Sequence, residues 1–263
     1  MTTLFTLLFI SAVSGIKDLL ATLPPKLYLS TSLTRLLTQL IFFALLGKFL
    51  GGKALLLYAL VGNAVASIAM LTMVTVAQDL SDALRAGTMA QLVATPTNPL
   101  WPITAWGGGR LLLGFANSLI GIYILAPILG LRFGAYALWA IPVLVLIGIT
   151  TYGLGLALVA ITLRLRGSML ISNGFLLLLY SLTGVNFPIE ALPGWLQQIG
   201  WSLPISHGLF AIRTLITDSD ISHATLWIVQ EIGIGAIYLF LGLILFHLQI
   251  EASRRNGNLD FYS

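Results

Sequence analysis

The chain has 263 residues, of which 58% are hydrophobic and 8% charged, against about a quarter charged in ordinary soluble domains, which excludes a soluble globular protein. Thirteen lysines and arginines against nine acids leave a net charge of +4, but the bases are spread one or two per loop, the pattern of membrane topology and not of a nucleic-acid-binding stripe. The absence of cysteine removes disulfides, thiolate metal sites and cysteine nucleophiles.

In chain order, "TLFTLLFISAVSG" has the apolar core of a signal peptide but no basic region before it, and Lys17 and Asp18 follow directly. It predicts a surface-lying helix within an interfacial segment 1–30, ending near Pro24 and Pro25, because proline restricts the residue before it. A membrane helix needs about 20 mainly apolar residues, and six stretches qualify. They are Leu33 to Leu50, Leu55 to Gln78, Ile103 to Ile128, Tyr136 to Ile161, Met169 to Val185 and Leu226 to Leu248. The expected fold is thus an all-α membrane protein in one membrane domain, 1–263.

Between the first two spans, "GKFLGGK" matches the G-x-x-x-x-G-K spacing of a phosphate loop. Ala54 stands where a magnesium-binding hydroxyl belongs, and no strand precedes it, so a tight glycine turn flanked by Lys48 and Lys53 is expected instead. After the second span the chain turns polar over 79–102: "DLSDALRAGTMAQLVATPTNPLWP". Asp82 and Arg85 share a helix face opposite Leu84, Met89, Leu92 and Val93, and Pro96, Pro99 and Pro102 prevent continuation. In the third span Arg110 follows Gly107, Gly108 and Gly109; it either snorkels to the surface or pairs with Asp79, and the glycines allow close helix approach.

Between the fifth and sixth spans, Ile189 to Thr217 is broken by Pro193 and Pro204, which predicts a re-entrant or surface-lying helical hairpin within 186–217. Trp195, Trp201 and His207 are expected at its membrane interface. Adjacent Ser206 and His207 lack an orienting acid, so no catalytic residue is expected, and His223 and His247 lie too far off for a metal site. Glu231, about one turn inside the last span, is either a substrate or gating group or an acid reaching interfacial water. Beyond Glu231 and Arg110 the spans offer few charged or polar groups at mid-bilayer, which argues against a secondary carrier or channel, and no polar constellation supports an intramembrane enzyme.

With both termini in the cytoplasm, Lys17, Lys26, Arg35, Arg85, Arg110, Arg164, Arg166, Arg254 and Arg255 lie inside, and Lys48, Lys53, Arg132 and Arg213 outside. The polar segment is then cytoplasmic and the proline-broken hairpin external.

"RAGTMAQLVATP" resembles the Gly-Thr-x-x-x-Leu-x-x-Thr-Pro pattern after the second span in membrane subunits of ABC exporters of the ABC-2 type. "GVNFPIEALPGWLQQIGWSLPISHGLFAIRTL" resembles that family's signature before the last span, through Gly184, Phe187, Pro188, Leu192, Pro193, Trp195, Leu196, Pro204 and Arg213. The resemblance implies a cytoplasmic coupling helix that seats in a separate ATPase subunit through Asp82, Arg85, Gly87, Thr88, Leu92, Val93 and Pro96. Asp82 stands where the family often has glutamate. It also implies an external gate built from Phe187, Pro188, Pro193, Trp195 and Pro204. The implied protein is a multi-pass subunit of a bacterial plasma (inner) membrane exporter, paired with a second permease subunit of like or unlike sequence and surrounded by lipid, with no nucleic-acid partner. No cofactor belongs to this chain, ATP and magnesium being held by the ATPase. The implied cargo is an amphipathic small molecule (drug or antibiotic) or lipid, the alternative being a lipid-linked polysaccharide.

Overall fold

The computed structural model describes residues 17, 24–74, 76, 78, 79, 100–162, 168–217 and 221–256. The polar segment with Asp82, Arg85, Gly87, Thr88, Leu92, Val93 and Pro96 lies outside the described residues, as does most of the interfacial segment 1–30. Among the described residues every regular element is helical.

The first helix begins at Pro25, eight residues before the expected span. Pro25–Leu27 leads through a π-helical stretch, Tyr28–Leu33, into α1, Thr34–Ala69. Proline suits a first helical turn because its missing N–H would be unbonded there. Helix α1 is folded on itself. Gly51 (φ −154°, ψ 26°) and Gly52 (φ 65°, ψ −148°) leave helical geometry, and only glycine adopts the Gly52 conformation without strain. The arms 34–50 and 53–69 return antiparallel: Gln39 reaches Asn63, and a Cβ on Gly47 would strike the Leu55 carbonyl. The segment that mimics a phosphate loop is therefore a turn between packed helices.

A second π-helical stretch, Met70–Val74, extends α1. Helix α2, Leu100–Leu119, passes through a third, Ile120–Leu125, to end at Ala126–Ile128. Helix α3, Ala140–Thr162, is apolar all the way round and sits centrally. Helix α4, Ser168–Leu182, has 15 residues, about 22 Å at 1.5 Å per residue, and stops where Gly184 turns to φ 78°. Then come α5, Gly194–Ser202, α6, Ser206–Thr217, and α7, Ile221–Asn256. Helix α7 lies along α3 so closely that a Cβ on Gly153 would meet the Leu239 backbone.

Among the described residues four segments are long and apolar enough to cross a membrane: Tyr28–Val74, Gly107–Ile128, Ala137–Ile161 and Ile221–Ala252. The difference from the six expected has a simple origin. The first contains both arms of the α1 hairpin, and Leu170–Leu182 is apolar but shorter than a full crossing. Helix seams are fastened by hydroxyls, with Thr72 against Thr151 at 2.7 Å, Ser67 against Ser118 at 3.3 Å, and Tyr180 donating to the Ala66 carbonyl at 3.0 Å. One end of the bundle gathers the Gly51–Gly52 turn, the connection 129–136 and helices α5 and α6. The bonds from Gly134 N to Ile216 O and from Arg213 to the Tyr58 carbonyl tie it together.

Candidate functional site

Polar side chains converge in a cavity of about 420 Å³ toward the end away from the Gly51–Gly52 turn. The first arm of α1 and the π-helical turn before it supply Ser32, Arg35, Leu36 and Gln39. The second arm and its π-helical extension supply Ser67, Met70, Leu71 and Val74, with Gln78 beyond. Arg110, Leu113 and Asn117 come from α2 and Asn173 from α4. Arg35 and Gln39 stand four apart, as do Asn63 and Ser67, and Arg110 and Asn117 stand seven apart, so each set shares one helix face. π-Helical turns are uncommon and concentrate at functional sites; of the three among the described residues, two wall this cavity.

The two arginines differ. Arg110 grips Asp79 with both prongs, Nε to Oδ2 at 3.0 Å and Nη2 to Oδ1 at 2.7 Å, so of the two outcomes left open by the sequence the ion pair is realised. Gly107 makes room beside it, since a Cβ there would run into the Tyr152 ring, whereas Gly108 faces open space. Arg35 is exposed and has no acidic or hydrogen-bond partner among the described residues. Asn117, which also lines the cavity, accepts from the Tyr28 hydroxyl through Oδ1.

From the cavity a polar ladder climbs toward the turn end. Gln39 Nε2 donates to Asn63 Oδ1 at 3.3 Å, and Asn63 Nδ2 donates to Asn186 Oδ1 at 3.1 Å. Asn63 is fully buried. Above it Arg213 lies 3.3 Å over the Tyr58 ring and donates to the carbonyls of Tyr58 (2.9 Å) and Val185 (3.3 Å). Burial lowers the Arg213 pKa to about 10, so it remains charged at neutral pH. Its Nε and Nη1, like the Tyr58 hydroxyl, are buried without a hydrogen-bond partner.

Glu231 does not reach interfacial water; it is 0% exposed. Its Oε1 accepts from Ile205 N at 3.1 Å and Thr150 Oγ1 at 3.0 Å, and its Oε2 from Gly208 N at 3.0 Å. A carboxylate from α7 thus caps the first turn of α6, where unpaired N–H groups and the helix dipole favour negative charge. The corner it holds is strained, for Ile205 follows Pro204 at φ 86°, rare for a β-branched residue.

The expected gate residues flank this corner. Phe187, Pro188, Pro193 and Trp195 are exposed and Pro204 is buried; Pro193 precedes α5 and Pro204 separates α5 from α6. The structure brings Glu231 to Pro204 and leaves Trp195 on the surface. His207 departs from expectation: it is 8% exposed, packed in an aromatic cluster 5.2 Å from Trp201 and 5.6 Å from Trp227, because the Pro204 break turns α6 inward. Gln39, Asn63, Asn117 and Asn173 correct the impression that the spans are poor in polar groups. Each looks isolated in the sequence, and for the first three only a spacing of four or seven from Arg35, Ser67 or Arg110 within apolar runs signals a shared face.

A model of the family described as "ABC-2 type transporter" matches residues 24–217, well over half of the chain. Nodulation protein J of Rhizobium leguminosarum bv. viciae is 29% identical over 119 residues, covering 45% of this chain and 44% of that protein. Its counterpart in Rhizobium meliloti (strain 1021) is 28% identical over 108 residues, 41% of each. That of Rhizobium leguminosarum bv. trifolii is 26% identical over 141 residues, 54% of this chain and 51% of the relative. The chain thus spans about half the length, or less, of the curated relatives it matches.

Proposed function

The chain belongs to the ABC-2 type transporter family, and from that premise we propose that it is the membrane-spanning subunit of an ATP-driven exporter, working beside a second permease subunit and two separate ATPase subunits. It crosses the bacterial inner membrane six times, the α1 hairpin supplying two crossings and α4 a short fifth, with both termini in the cytoplasm. ATP-driven closure of the ATPase pair pushes the segment around Asp82, Arg85, Gly87, Thr88, Leu92, Val93 and Pro96, and the rigid helices carry that displacement to the gate at Phe187, Pro188, Pro193, Trp195 and Pro204. ATP and magnesium act on the partner, not on this chain.

The observation that carries the reading is a polar cavity inside an apolar bundle, continued by the Gln39, Asn63 and Asn186 ladder. Buried polar groups in lipid are costly and mark transport pathways. The cargo is an amphipathic small molecule or a lipid. A lipid-linked glycan is the second reading, favoured by the amide-rich lining and by relatives whose name places them in nodulation.

Purification in mild detergent is the test: an ATPase chain should accompany this one. In Arg85→Glu with Leu92→Asp, association should weaken by about tenfold or more, or hydrolysis should uncouple from export, while the subunit still inserts. Transport by the isolated chain with no nucleotide-hydrolysing companion would overturn the proposal.

A further inference from the structure

The geometry points to the cavity as a site for an oxyanion headgroup, in which Arg35, with the amide of Asn117 nearby, receives the phosphate, sulfate or carboxylate of an amphiphile whose apolar portion rests on Leu36, Leu71 and Leu113. Three observations converge. The first is charge: the cavity has two arginines in its walls, and the one acid bonded there, Asp79, is already engaged bidentately by Arg110. Among the described residues one cation is left over, on Arg35. A guanidinium is a planar fork suited to oxyanions and carries its charge at any physiological pH. A cationic cargo would meet repulsion at the same place.

The second is the lining. Gln39, Asn117 and Asn173 stand among leucine, methionine and valine side chains, so polar and apolar walls face the same volume. That volume falls within the range of small-ligand pockets, large enough for a headgroup and the start of a chain. The third is the backbone. Ser32 lies in one π-helical stretch and Met70, Leu71 and Val74 in another, and such turns persist where a site requires them.

This inference rests on the exporter reading insofar as the amphiphile is cargo, and it narrows the cargo to anionic ones. The experiment uses the full chain in nanodiscs of phosphatidylcholine, with dodecyl phosphate, inorganic phosphate, dodecanol and dodecyltrimethylammonium as probes. Wild type should bind dodecyl phosphate at least about tenfold more tightly than any of the other three. Arg35→Gln should lose about tenfold in that affinity, a difference of about 1.4 kcal/mol. Arg35→Lys should recover most of it, and Arg132→Gln, at the other end of the bundle, should leave it unchanged. Added salt should weaken dodecyl phosphate and not dodecanol, a readout on wild type that stands even if Arg35→Gln fails to fold.

Equal affinity of a folded Arg35→Gln for dodecyl phosphate, or equal binding of the cationic probe, would overturn the inference. Inorganic phosphate binding as tightly as dodecyl phosphate would overturn the amphiphile in favour of a free anion. Scoring ATPase co-purification on the same preparations separates the two proposals: its absence counts against the exporter and leaves the affinities standing, whereas indifferent probes with the ATPase bound count against the headgroup site alone.

Discussion

At the scale of single residues, Glu231 shows how burial changes the meaning of an intramembrane acid. Three donors converge on its two oxygens, and no side-chain cation approaches it within ion-pair distance among the described residues. Glutamine offers one acceptor oxygen and turns an N–H₂ group toward either Gly208 N or the Ile205 and Thr150 pair. Alanine abandons the two backbone donors, Ile205 N and Gly208 N, while the Thr150 hydroxyl keeps the Ile147 carbonyl as its acceptor at 2.9 Å. Leaving a buried donor unpaired costs about 1–3 kcal/mol, so Glu231→Ala should destabilise by roughly 3 kcal/mol or more and Glu231→Gln by less. The thermal midpoint of the detergent-solubilised chain should therefore order as wild type, then Gln, then Ala. An alanine variant as stable as wild type would remove the capping role. The sequence offered the acid and its depth but not its partners, because two of the three are backbone N–H groups that the Pro204 corner brings within reach.

At the scale of elements, most of the helical plan was legible and the departures have particular causes. The expected break near "GKFLGGK" became the Gly51–Gly52 turn, since two adjacent glycines between apolar runs are a strong local signal. The early start at Pro25 was missed because a proline pair reads as the end of one helix as readily as the first turn of another. The π-helical stretches carry no sequence signature, and with them the cavity wall stayed hidden. Hairpin closure rests on one residue: Gly52 at φ 65° and ψ −148° occupies a region closed to side-chain-bearing residues, at a cost of about 1–3 kcal/mol. Gly52→Val should lower the thermal midpoint and reduce the fraction of chain correctly inserted, even though open space surrounds the glycine Cα and no clash would arise. Wild-type stability in that variant would mean that the arms are held by packing alone.

At the scale of the whole molecule, the cavity and the proline-broken hairpin sit toward opposite ends of one bundle, and the Gln39, Asn63 and Asn186 ladder joins them through a fully buried asparagine. On the exporter reading proposed above, alternating access requires that such a path never be open at both ends, which assigns the closed point to the fully buried Asn63. The chain has no cysteine, which makes single-cysteine labelling with a membrane-impermeant thiol reagent unambiguous. Asn186→Cys should label from the turn end in every state, and Gln39→Cys only from the cavity end. Asn63→Cys should resist the reagent at rest and, in a complex with the proposed ATPase trapped in its ATP-bound form, react from the turn end about tenfold or more faster. If Asn63→Cys reacted equally in both states, the ladder would be a static hydrogen-bonded seam between helices, and the route of transport would have to lie outside this subunit's interior, against a neighbouring permease subunit.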